Sequence, residues 1–138
     1  MVYADPRLEQ IKNTKFDAFT YTIEKGKIKE FAIALGYNSK SYLNGNAVPP
    51  TFPTVVEFWG GQISISKVLG LNLSKVLHGE QSYEYVGVIK VGDEITVHTE
   101  VEEVFTKAKM NLIVLKKKFM NQHGELVLIS RSTIIERH

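Results

Sequence analysis

Cysteine is absent from this 138-residue chain, which excludes disulfide staples, thiolate metal sites and a thiol nucleophile. Proline is scarce and confined: one is Pro6, and the other three are Pro49, Pro50 and Pro53. No stretch approaches the ~18 consecutive apolar residues of a spanning helix. Residues 1–15 are polar and charged, without the apolar core flanked by basic residues that marks a leader. A soluble cytoplasmic protein that engages no membrane is the expectation. A dominant charge of one sign is lacking as well. The formal net charge is +2, and basic residues mix with acidic ones except at Lys116-Lys117-Lys118. A nucleic-acid binder shows a basic stripe with interleaved aromatics, so that class is set aside. In a strand, Lys116 and Lys118 share one face and Lys117 takes the other. The triplet reads as a solvated strand end rather than a seat for an anion such as the phosphates of coenzyme A.

What is present is of ordinary soluble composition, 43% hydrophobic and 23% charged. The length suits one domain burying roughly two-thirds of the surface its unfolded chain exposes. A single domain over 1–138 is expected, with its core in about 16–137. Residues 16–22 alternate and are rich in aromatics and Thr, a strand signal. Residues 24–35 carry Ile28, Phe31, Ala32 and Leu35 at i, i+3, i+4, i+7, an amphipathic helix stopped by Gly36. Residues 37–47 hold Asn38, Ser39, Ser41, Asn44, Gly45 and Asn46 and read as a loop, where sites tend to lie.

Residues 54–69 read as a long helix begun by Pro53, capped by Thr51 or Thr54, and apolar on nearly every face, hence buried. Gly60-Gly61 weakens it by ~1 kcal/mol per glycine. Such a pair marks close approach, by a crossing strand or by a ligand chain. From Val76 onward strands follow: 82–88, a turn at Val91-Gly92-Asp93, then Ile95, Val97, Thr99 and Val101 alternating with His98, Glu100 and Glu102. Lys107-Ala108-Lys109 turns the chain into 110–115, apolar on both faces as a central strand is. Asn121-Gln122-His123-Gly124 makes a hairpin with Gly124 left-handed, and 126–135 closes the sheet. The fold class is α+β: a long central helix wrapped by an antiparallel sheet, the hot-dog architecture.

Two runs carry a family resemblance: residues 48–53, Val-Pro-Pro-Thr-Phe-Pro, and residues 76–85, Val-Leu-His-Gly-Glu-Gln-Ser-Tyr-Glu-Tyr, leading to Val91-Gly92-Asp93. With residues 28–32 and 132–137, they resemble the MaoC-like dehydratase N-terminal domain family, which includes subunits of (3R)-hydroxyacyl-carrier-protein dehydratases. Catalytic members place an Asp directly after a helix-ending Gly, then Asn-Pro, then a His five positions beyond the Asp. Dehydrating a 3-hydroxyacyl thioester needs a base for the proton next to the carbonyl and an acid for the hydroxyl. Here Gly36 matches, but Tyr37 stands at the Asp position, Ser39-Lys40 replaces Asn-Pro, and Tyr42 stands at the His position. An unperturbed phenol titrates near ~10, far from the task.

The resemblance therefore implies a substrate-binding subunit for acyl-CoA or acyl-carrier-protein thioesters, with a partner hot-dog chain supplying Asp and His. It implies no cofactor. Pro50, Thr51, Phe52, Trp59, Gly60, His78 and Gln81 are its expected substrate-binding positions, although Trp59 reads first as plain core. Tyr37, Tyr42 and His78 are the residual catalytic candidates. His78 polarises a thioester carbonyl, contacts the pantetheine arm, or, as it reads first, bonds to backbone at a strand start. His98, His123 and His138 have no spacing that suggests a metal site.

Two other readings stay open. Glu57 in the central helix could serve a hot-dog thioesterase, although it reads first as an edge carboxylate emerging into water. The chain could also bind acyl groups without turnover. In each case one helix on one sheet leaves an apolar face and a sheet edge uncovered, so a homodimer or heterodimer is expected.

Overall fold

The structure is a computed structural model and describes residues 5–61 and 65–138. One antiparallel sheet organises it, with strands in the order β1-β3-β4-β5-β2. These are β1 (Phe19–Thr22), β2 (Val76–Tyr85), β3 (Glu94–Lys107), β4 (Met110–Met120) and β5 (Leu126–Arg137). The central strand is β4, as its two-sided apolar pattern predicts, and it runs five residues beyond the expected end. Its alternation puts Asn111, Ile113, Leu115, Lys117 and Phe119 on the buried face. The hairpins fall at the predicted turns, with Gly124 at φ 75 and with Ala108 and Lys109 also at positive φ.

Helices cover one face. α2 (Lys25–Leu35) buries Ile28 and Ala32 and ends at Gly36, as its stripe and stop residue predict. α3 (Lys40–Leu43) is a single turn within the expected loop. The expected long helix is instead two pieces among the described residues, α4 (Pro53–Gly60) and α5 (Ile65–Val68). Gly61 is extended, at φ −83 and ψ 143, and residues 62–64 of the expected helix lie outside the described residues. The two glycines that lower helix propensity sit where α4 stops. Neither Thr51 nor Thr54 caps α4; Phe52 occupies that position and makes no side-chain cap bond.

A further helix, α1 (Pro6–Lys12), forms where only polar chain was expected. Asp5 caps it by accepting from the Arg7 N–H, and Leu8 and Ile11 are buried. Lys12 reaches from its end to the carbonyls of Val101 and Glu102 on β3. The short β1 pairs only with Glu94 to Val97, leaving the rest of β3 without a strand partner on this side among the described residues.

The core has two apolar clusters. One gathers Ile23, Ile28, Phe52, Val56, Val97, Phe119 and Leu128; the other gathers Leu8, Ile11, Leu71, Val104, Ile113, Leu115 and Ile134. Between them a row of polar residues crosses the sheet on the helix side. Thr99 pairs with Lys117, Lys117 with Ser130, and Ser130 with Tyr83.

Candidate functional site

The loop after α2 carries Tyr37 and Tyr42, and the edge strand β2 carries His78, Gln81, Tyr83 and Tyr85. Gly36 turns the chain out of α2 in a left-handed conformation, and the single turn of α3 folds the loop back. Tyr37 and Tyr42 thereby meet in a tilted ring contact, with centroids 5.0 Å apart at 59°. No hydrogen bond reaches either phenol oxygen among the described residues. Tyr42 also stands beside Tyr85: burial pushes the Tyr85 phenol up to about 12, with Tyr42 adding to the effect. The Tyr85 hydroxyl donates to the Pro50 carbonyl, tying the loop that carries Pro50 to the sheet edge. Tyr37, Tyr42, Pro50 and Tyr85 thus form one group.

A second group lies under α4. Glu57 does not emerge into solvent as expected; its side chain is 9% exposed and pairs with Lys117, 11% exposed, at 3.2 Å. The same Oε1 accepts from Ser130 Oγ at 2.8 Å, and Oε2 accepts from the Tyr83 hydroxyl at 3.1 Å. Tyr83 also lies 2.7 Å from Thr54 Oγ1, and Gln81 Nε2 donates to Ser130 Oγ at 2.8 Å. Burial pushes the Tyr83 phenol far up, so it stays protonated and serves as a donor. Lys117 is therefore not part of a solvated strand end. Its parity with Ile113, Leu115 and Phe119 turns it inward, while Lys118 is exposed. That parity was the available signal for the group, hidden because residues 110–115 are apolar on both faces.

His78 is not brought to Tyr37 and Tyr42. It pairs with Ile134, whereas Tyr85 pairs with Leu128. Six ladder steps at about 3.3 Å each separate them by roughly 20 Å, too far to share one water. A bulge at Gly79 keeps His78 on the face of Gln81 and Tyr83. A Cβ on Gly79 would stand 2.8 Å from Ile135 Cδ1, which is why a side chain is missing there.

The remaining expected binding residues are dispersed. Phe52 is fully buried and packs edge-on against Phe31 at 5.5 Å. Thr51 is exposed. Trp59 is 65% exposed, not core, and contacts the equally exposed Phe58 edge-on at 5.0 Å. The close approach at Gly60 is the Phe19 ring of β1, which a Cβ would meet at 2.3 Å. Of the two readings of that glycine, the crossing strand accounts for the geometry.

Residues 10–130 match the family described as FAS1-like, dehydratase domain region. The chain belongs to that family. A UPF0336 protein of Streptomyces griseus is 29% identical over 128 residues, covering 85% of each chain. Among solved structures, a MaoC-like dehydratase from Phytophthora capsici superposes with TM-score 0.74 at 22% identity, covering 94% of this chain and 49% of its own. The HadBC (3R-hydroxyacyl-ACP dehydratase) complex of Mycobacterium tuberculosis gives TM-score 0.72 at 16% identity, covering 89% of this chain and 97% of its own. The fold is the hot-dog fold of MaoC-like dehydratases, as the sequence resemblance implied. At these identities the superpositions carry the fold and not the substrate.

Proposed function

We propose that this member of the dehydratase family is the substrate-binding, non-catalytic half of an acyl-thioester dehydratase or hydratase. It takes acyl-CoA or acyl-carrier-protein thioesters and pairs with a hot-dog chain that supplies the Asp and His. One observation carries the reading: the two positions where catalytic relatives hold the acid/base pair are side by side, yet filled by Tyr37 and Tyr42 with rings 5.0 Å apart. A general base must reach the proton it abstracts and titrate near the working pH. The two phenols lie in a tilted ring contact, and among the described residues no hydrogen bond joins either hydroxyl to a base that could activate it.

The uncovered surface supports the partner. β2 is an edge strand with one side unpaired, and Phe58 and Trp59 lie outward on α4 at 72% and 65% exposure. A monomer seldom leaves such apolar area in water. The HadBC assembly shows by its name that a chain of this fold can work inside a two-subunit dehydratase. Thioester hydrolysis through Glu57 has less to recommend it, because both carboxylate oxygens already hold partners.

The test is co-expression with a hot-dog chain from the same genome that carries the Asp/His pair, followed by hydration of crotonyl-CoA. The purified complex should be active and each chain alone inactive. Hydration by this chain by itself would overturn the reading.

A further inference from the structure

The α4 helix is mounted in reverse. Its inward stripe is Pro53, Val56, Glu57 and Gly60, with one charged residue and a glycine, while the bulky Phe58 and Trp59 point to solvent. Hydrophobicity alone would roll the helix the other way and bury the two rings, each worth ~2–3 kcal/mol. Successive residues are ~100° apart, so Trp59 lies about 200° from Glu57. Whatever holds Glu57 against the sheet therefore holds Trp59 away from it.

Thr54 Oγ1 beside the Tyr83 hydroxyl, Val56 in the core and Gly60 against the Phe19 ring keep the same face inward, and Glu57 adds the largest set of bonds to the sheet. α4 has eight residues, no side-chain cap, and apolar residues on every face. Glu57 is its one charged side chain. Its partners Lys117, Ser130 and Tyr83 come from three different strands and form a polar row between the two apolar clusters. Buried ion pairs seldom add net stability over a well-packed apolar pair, and their best-attested use is to fix one arrangement among several.

Resting on the functional reading above, we propose that Glu57 and Lys117 are positioning residues for partner choice. Their pairing sets the roll of α4 so that Phe58 and Trp59 present to an Asp/His-bearing hot-dog subunit instead of filling this chain's own core.

The test uses the full chain and three variants: the apolar double Glu57→Met/Lys117→Met, the exchanged double Glu57→Lys/Lys117→Glu, and Glu57→Gln, which keeps shape and hydrogen bonding. Trp59 is the sole tryptophan, so its emission and acrylamide quenching report the roll of α4 directly. Heterodimer formation with the Asp/His-bearing chain is followed by native mass spectrometry of the mixture. The Met pair should stay folded while Trp59 changes its accessibility and heterodimer affinity drops at least tenfold. The exchanged pair should recover most of that affinity. Glu57→Gln should move both readouts the same way by a smaller factor, and it decides the matter if the Met pair does not fold. Unchanged quenching and unchanged heterodimer fraction in a folded Met pair or in Glu57→Gln would overturn the proposal. If the wild-type chain forms no heterodimer, the functional reading falls, and the quenching comparison still judges the role of the pair.

Discussion

The carboxylate of Glu136 offers a quantitative test of how the far end of the sheet is held. It is 4% exposed and accepts from Arg7 Nη2 at 2.8 Å, the Asn72 N–H at 2.9 Å and Asn111 Nδ2 at 3.3 Å. These bonds join α1, the chain before β2, and β4 to the end of β5. Glu136→Leu would strand the buried Asn111 amide donor at about 1–1.5 kcal/mol and lose the part-buried bond from the Asn72 N–H, worth about 0.5–1 kcal/mol. The Arg7 bond adds about 1 kcal/mol, discounted because that guanidinium is 48% exposed. The expected loss is roughly 3 kcal/mol, or about 10 °C in Tm at this chain length. Glu136→Gln keeps the shape and part of the bonding and should cost about half as much.

The pH dependence follows from the same contacts. Burial by itself raises the Glu136 carboxyl, but the Arg7 hydrogen bond, the Asn72 N–H and the Arg7 charge outweigh it and leave the pKa below its ordinary value of 4.5. A group whose folded pKa is depressed contributes stability that is complete above the unfolded value and fades as pH falls through the folded one. Urea unfolding of wild type and Glu136→Gln should therefore show a full gap at pH 7 that narrows below about pH 4.5. A gap that stays constant down to pH 3, or widens, would refute the reasoning.

Three other outcomes are expected. Gly60→Ala gains helix propensity but drives a Cβ into the Phe19 ring, so it should destabilise by roughly 1–3 kcal/mol in denaturant unfolding, and a stabilised variant would contradict the packing described. Lys12→Met uncovers the Val101 and Glu102 carbonyls on the free stretch of β3, and light scattering should show concentration-dependent aggregation that the wild type lacks. Tyr37→Asp/Tyr42→His places an acid/base pair at two adjoining positions; crotonyl-CoA hydration should rise on the order of 10²-fold over either single variant, and equal rates in all three would show that the positions do not face a common site.

Much of the framework was legible in the chain because it rests on local rules. The stripe Ile28, Phe31, Ala32, Leu35 closed by Gly36 specifies α2, and the turns at residues 107–109 and 121–124 set the β3–β4 and β4–β5 hairpins. The runs at residues 48–53 and 76–85 carried the family. Where a reading failed, two residues far apart in sequence competed for one space. Gly60 read equally as the seat of a crossing strand or of a ligand chain, and only the position of Phe19 decides for the strand. Glu57 looked solvated because its partner Lys117 lay in what read as a charged strand end. The helix α1 was missed because seven residues carry too little periodicity, and its stability comes from burying Leu8 and Ile11 under the sheet.

The sequence by itself determined the order of the strands, the helix α2 and the hairpins, and it carried the resemblance that sets Tyr37 and Tyr42 where an Asp/His pair is expected, since each depends on residues within a few positions of one another. Tertiary structure alone decided that those tyrosines meet ring to ring, that His78 stands roughly 20 Å along β2 from Tyr85, and which way α4 faces. A helix apolar on every side has no preferred inward face of its own. The sheet chose it, by offering Lys117, Ser130 and Tyr83 to one carboxylate and the Phe19 ring to Gly60.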